Sequence, residues 1–105
     1  EREASLDVAE ANAADVRREV AAALTTRLAE LDAAQARIEI AQVSVVAATE
    51  DLRVQQERYR LGASTIVDLL TSQEALNQAE VDVVVSRFDY LRAKAQLEAL
   101  IGRTL

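Results

Sequence analysis

Three aspartates, Asp68, Asp82 and Asp89, fall on one position of a seven-residue repeat, with Ala75 between the first two. A line of carboxylates on one side of a helix can attract cations, as acidic rings do in cation-selective pores. It can equally be a solvated face. Gln73, Glu80, Arg87 and Lys94 hold the corresponding position on the other side. Little other chemistry is on offer. The 105 residues contain no His and no Cys. The commonest general base, the thiolate nucleophile and the thiolate metal ligand are therefore all missing. Carboxylate pairs on helices hold di-metal centres when Glu-x-x-His motifs accompany them, and the sequence has none. It reads as a non-enzyme with no catalytic residue, no metal site and no cofactor. A net charge of −6 argues against nucleic acid as a partner, because such binding needs a basic footprint.

Long helices must position these side chains. The composition is rich in Ala, Leu, Glu, Arg and Gln, with no Pro and three aromatic residues, Tyr59, Phe88 and Tyr90. No apolar run approaches the ~18 residues of a membrane-spanning helix. The two glycines sit where helices should stop. Gly62 follows an unbroken helix-favouring stretch and suits the left-handed position after a helix C-terminus. Thr65 can cap the next helix, with Asp68 three residues on as the acidic half of a capping box. Gly102 ends that helix. The expectation is one all-α unit over residues 1–105: a helix over about 4–61, a tip turn at 62–65 and a helix over about 66–101. So short a link makes the helices antiparallel neighbours. The chain has no Met and begins at Glu1, which reads as a segment of a longer, processed protein.

The heptads say which faces pack. Leu24, Leu31, Ile38, Val45, Leu52 and Tyr59 recur every seven residues, as do Leu69, Leu76, Val83, Tyr90 and Leu97. Folding about Ser64 sets Tyr59 against Leu69, Val45 against Val83 and Ile38 against Tyr90. Ala34, Ala41 and Ala48, with Ser72, Ala79, Ser86 and Ala93, supply small residues beside them, which favours close packing. A second stripe lies on nearly the opposite side of each helix: Ala33, Ile40, Ala47 and Val54, then Val67, Val81, Phe88 and Ala95. A two-stranded coiled coil needs one seam per helix. Two opposed seams suit a wall of helices, or a four-helix bundle with broad apolar faces. The uncovered seam should make the chain self-associate. At about 1.5 Å per residue the first helix spans roughly 85 Å and the second about 55 Å, so residues before about Thr26, including Val8, Val16 and Val20, have no hairpin partner.

From Arg58 to Leu70 the chain reads RYRLGASTIVDLL, with a Tyr three residues before a Gly, a short polar turn, and an Asp followed by leucines. Gln73, Leu76, Ala79, Tyr90, Ala93, Leu97 and the closing Leu100-Ile101-Gly102 follow. This resembles the periplasmic hairpin of the second repeat in TolC-like outer membrane efflux proteins. The resemblance implies a trimeric channel with a β-barrel in the outer membrane and a helical tube in the periplasm of a Gram-negative bacterium. It implies a drug or protein exporter whose tip, here Leu61, Gly62, Ala63, Ser64 and Thr65, docks a periplasmic adaptor and through it an inner-membrane pump. It places Asp68 at the periplasmic constriction and makes Asp68, Asp82 and Asp89 pore-lining. Some members carry a second acid one turn after that Asp, where this chain has Thr71. Two other readings stay open: the hairpin of a periplasmic adaptor protein, and a generic coiled-coil module. Tyr59 reads as a packing residue, and Arg58 and Arg60 as ion-pair partners of neighbours such as Glu57.

Overall fold

Ala-rich sequence without proline lets the helix run on wherever no residue demands another backbone conformation. In the computed structural model, which describes residues 1–102, that happens twice. Helix α1 spans Arg2–Arg60 and α2 spans Ile66–Ile101. The two lie side by side as an antiparallel hairpin, extended over 89 × 21 × 15 Å. Residues 103–105 of the expected unit fall outside the described residues.

The reversal follows from local chemistry. Gly62 adopts φ +75°. Its amide donates to the Tyr59 carbonyl at 3.0 Å and the Ala63 amide donates to the Arg58 carbonyl at 2.7 Å, the paired bonds of a Schellman ending. The turn thus begins at Leu61, one residue earlier than the composition suggested. Thr65 then caps α2. Its hydroxyl accepts from the Asp68 amide at 3.2 Å, and the Asp68 carboxylate accepts from the Thr65 amide at 3.4 Å. Both halves of the expected capping box are present.

The first heptad stripe closes the hairpin. Ala34, Ala41 and Leu52 are buried against Ser72, Ala79, Ala93 and Leu97. The small residues mark the closest approach of the helices, Ala34 being wholly covered. Most of the larger stripe, including Leu31, Ile38, Val45, Val83 and Tyr90, is half-buried along the margin. Val45 and Val83 line one groove between the helices. Each buried Leu contributes about 1.5–3 kcal/mol, and among the described residues only Leu52 and Leu97 reach that class, so two helices alone make a thin core. Tyr59 departs from its expected packing role: it is 46% exposed, because the stripe ends at the turn and nothing beyond covers the ring.

Side-chain bonds tie α1 to α2 and to the turn. The Ser72 hydroxyl donates to the Asp51 carboxylate at 2.6 Å, the Ser64 hydroxyl to the Gln55 amide oxygen at 3.0 Å, and the Arg27 guanidinium to the Gln96 amide oxygen at 3.1 Å. Arg27 is also the last of these ties along α1. Below it in number, Leu6, Val8, Val16 and Val20 are exposed, as the difference in helix lengths requires.

Candidate functional site

The tip is small and tightly specified. Leu61, Gly62, Ala63 and Thr65 are exposed, and Ser64 is half-buried because its hydroxyl turns back to Gln55. Thr65 is committed to the cap of α2. The Arg58 guanidinium donates to the Ala63 carbonyl at 3.3 Å, so Arg58 braces the turn and is not a partner of Glu57. Arg60 does pair with Glu57, donating from Nε to the carboxylate at 3.2 Å. That contact holds the Glu57 carboxyl below its ordinary range, and the Arg53 guanidinium acts likewise on Glu50. Of the five expected tip residues, Leu61 and Ala63 offer side chains free of such duties. Ile66, Val67 and Leu70, exposed in the first turns of α2, extend this end with apolar surface. By sequence Val67 belongs to the outer stripe, while Ile66 and Leu70 enter through the tip motif and not as tip residues. Their signal was an apolar first turn after a cap, where a solvated helix would carry polar residues.

The three aspartates lie on one side of α2, spanning about 30 Å at the helical rise. Asp68 and Asp82 are exposed and Asp89 is half-buried. Asp68 is occupied by the capping box. The Asp82 carboxylate accepts from the Gln78 amide at 2.9 Å. By heptad phase α1 contributes Glu30, Arg37, Ser44, Asp51 and Arg58 to this same face, as the bonds from Ser72 to Asp51 and from Arg27 to Gln96 require. The face therefore carries five acids, namely Glu30, Asp51 and the three aspartates, against the three bases Arg27, Arg37 and Arg58. The other face brings Gln42 together with Glu80 and Arg87 around a groove floored by Val45, Val83 and Val84. It is not acidic on balance. The hairpin thus has one acidic broad face and one mixed one, with an apolar edge outside each helix.

Those edges are the second stripe. On α1, Ile40, Val43, Val46 and Val54 are exposed, as are Val67, Val81, Val84, Phe88 and Leu91 on α2. No helix among the described residues is long and apolar enough to cross a membrane, so this surface does not read as a lipid-spanning segment. Its regular spacing suits contact with another helix on each side.

Comparison with known proteins agrees with this architecture. The family model for outer membrane efflux proteins matches residues 1–103. No curated protein and no solved structure matches the chain significantly. A match over nearly the whole length settles the affiliation: this chain belongs to the outer membrane efflux protein family, whose members are channel proteins of Gram-negative outer membranes and not enzymes.

Proposed function

We propose that this hairpin is a section of the periplasmic helical wall of an efflux channel, in a protein whose further segments supply the membrane barrel and the other repeat. The observation that carries this reading is the pair of opposed stripes: one closes the hairpin and the other stands uncovered along both outer edges. Hairpins laid edge to edge would cover the second stripe and close into a tube. Three protomers would complete the ring. In that ring one broad face must line the lumen. The face of Asp68, Asp82 and Asp89 is the better candidate, because the opposite one carries Arg87 and Lys94. The lumen would then favour cations along its length.

The tip of Leu61 to Thr65, enlarged by Ile66 and Leu70, would meet the adaptor that couples the channel to an inner-membrane pump. Small and apolar side chains suit that end-to-end contact. The opposed stripes weigh against the adaptor reading, since an adaptor hairpin acting as a spacer has no need of a second seam.

Charge at the tip tests the docking role. Ser64→Arg would also remove the bond to Gln55, so Ala63→Glu is the cleaner variant: Ala63 is exposed and uses its backbone alone in the turn. Expected in the full channel is loss of export with normal assembly in the outer membrane. Normal export would contradict docking through this tip.

A further inference from the structure

Each helix carries two apolar stripes, so a second hairpin is open to the same sequence. Turned inside out about the same turn, Val54 would meet Val67, Ile40 would meet Val81 and Ala33 would meet Phe88. The inner stripe would then lie along the edges. Small residues favour the observed arrangement by letting the helices approach closely. The helix hydroxyls contribute unequally. Thr25, Thr26, Ser44, Thr49, Thr71 and Ser86 each donate to the carbonyl four residues earlier, a common outlet for a hydroxyl within a helix. Such a side chain is indifferent to what faces it. Ser86 shares its heptad position with Ser72, yet Ser72 behaves differently. It is the one buried polar side chain among the described residues, 6% exposed, and its hydroxyl donates across the seam to the Asp51 carboxylate at 2.6 Å. A hydrogen bond to an ionised acceptor is about twice as strong as a neutral one.

Glu74 stands two residues further on, about 200° around α2. It interrupts the outer stripe between Val67 and Val81 and is exposed. In the inverted hairpin its carboxylate would face Ala47 beside Glu50, whose own partner is Arg53. A buried charge without a partner is strongly disfavoured, and a second carboxylate nearby adds to the penalty. We infer that Ser72 and Glu74 together decide which stripe closes the hairpin and which is left along its edges. Ser72 holds Asp51 across the inner seam, and Glu74 resists enclosure in the outer one. In coiled coils a single buried polar side chain likewise fixes one arrangement of otherwise interchangeable helices. Both are positioning residues, acting through the helices they orient. This selection operates within one hairpin, with or without neighbours, so it stands apart from the wall reading.

The chain has no cysteine, so an introduced pair reports which stripes face each other. Val45 and Val83 line one groove between the helices. Under mild oxidation Val45→Cys with Val83→Cys should form an intramolecular disulfide. Ile40→Cys with Val81→Cys, both exposed on the outer edges, should not. Mixing with isotopically labelled chain separates intramolecular from intermolecular bonds by mass spectrometry. Ser72→Ala with Glu74→Val should raise the intramolecular yield of the outer pair about tenfold and lower that of the inner pair. The milder Ser72→Ala with Glu74→Gln should move both yields in the same directions. In the Glu74→Val background, Asp51→Asn keeps an acceptor for the Ser72 hydroxyl and should leave the inner pair dominant, whereas Asp51→Leu should shift yield to the outer pair. Circular dichroism checks that each variant keeps its helices. Unchanged yields in both double variants overturn the inference, as does Asp51→Leu behaving like Asp51→Asn.

Discussion

Leu97 and Ile40 are both large aliphatic side chains at regular heptad positions, yet Leu97 is 2% exposed and Ile40 is 65% exposed. The seam that Leu97 shares with Ala34 and Ala93 is closed by the chain itself. The edge that Ile40 shares with Val43 and Val46 is closed by nothing in the hairpin. Both stripes have the same period, so period alone does not tell them apart. What differs is the company of small residues. Ala34, Ala41, Ser72, Ala79 and Ala93 line the inner seam and allow the helices to approach closely, whereas Val, Ile and Phe crowd the outer edges. An inner seam where small residues sit beside large ones, and an outer edge left uncovered, suit a unit made to be flanked by others.

The largest expected effect separates these two regions. Leu97→Ala should destabilise the free hairpin by about 2–5 kcal/mol, the range for emptying a buried Leu site. Ile40→Ala should stay within about 0.5 kcal/mol, as an exposed helix substitution does. Urea denaturation followed by circular dichroism compares them. Similar losses from both would mean that the α1 edge is already covered in the free chain.

The tip comes next. A Cβ at Gly62 would meet no atom within 4 Å, so Gly62→Ala is opposed by its left-handed backbone alone. The expected cost is about 1–2 kcal/mol, read in the same denaturation experiment. A cost near zero would mean that the turn readily adopts another path.

The smallest effect belongs to the α1 edge charges. Hydrogen bonds from Arg53 and Arg60 favour the ionised forms of Glu50 and Glu57 and lower their carboxyl pKa values. A depressed folded-state value means stability that is present above the unfolded glutamate value of about 4.3 and lost as pH falls through the folded value. These groups are fully exposed, so solvent and salt weaken the contribution. The stability difference between the parent chain and Arg53→Gln should be slight at pH 7, shrink as pH falls below the unfolded glutamate value of about 4.3, and be gone once pH is below the lowered folded value. A difference that persists below that folded value would assign the effect to packing of the Arg53 stem.

Much of the fold was legible because its signals are local. Gly62, Thr65 and Asp68 act on their own or adjacent backbone, and heptad arithmetic gives two opposed stripes, of which the structure closes the hairpin with the one paired about Ser64. The features that escaped are those that need the turn in three dimensions. Arg58 bonds to the Ala63 carbonyl because the Schellman ending brings that oxygen back over the last helical turn. Tyr59 is uncovered because the seam stops beside it. The bond from Ser72 to Asp51 needs the relative rotation of two helices, which no spacing within one helix reveals. Likewise, Arg37 and Arg58 share the aspartate face only once the helices are set side by side. The docking and pore-lining roles rest on resemblance to the family together with surface chemistry, since a single hairpin does not display its neighbours.

Cysteine accessibility in the assembled channel tests the wall reading most directly. Asp82→Cys would report on the acidic broad face and Phe88→Cys on the outer edge of α2, both in a cysteine-free background and both exposed in the hairpin alone. The expected result with a membrane-impermeant maleimide small enough to enter the channel is rapid labelling of Asp82→Cys and slow labelling of Phe88→Cys. A blocker lodged in the lumen should slow the first alone. Equal, rapid labelling of both would show that the outer edge stays open in the assembly and would contradict a wall of hairpins joined through it.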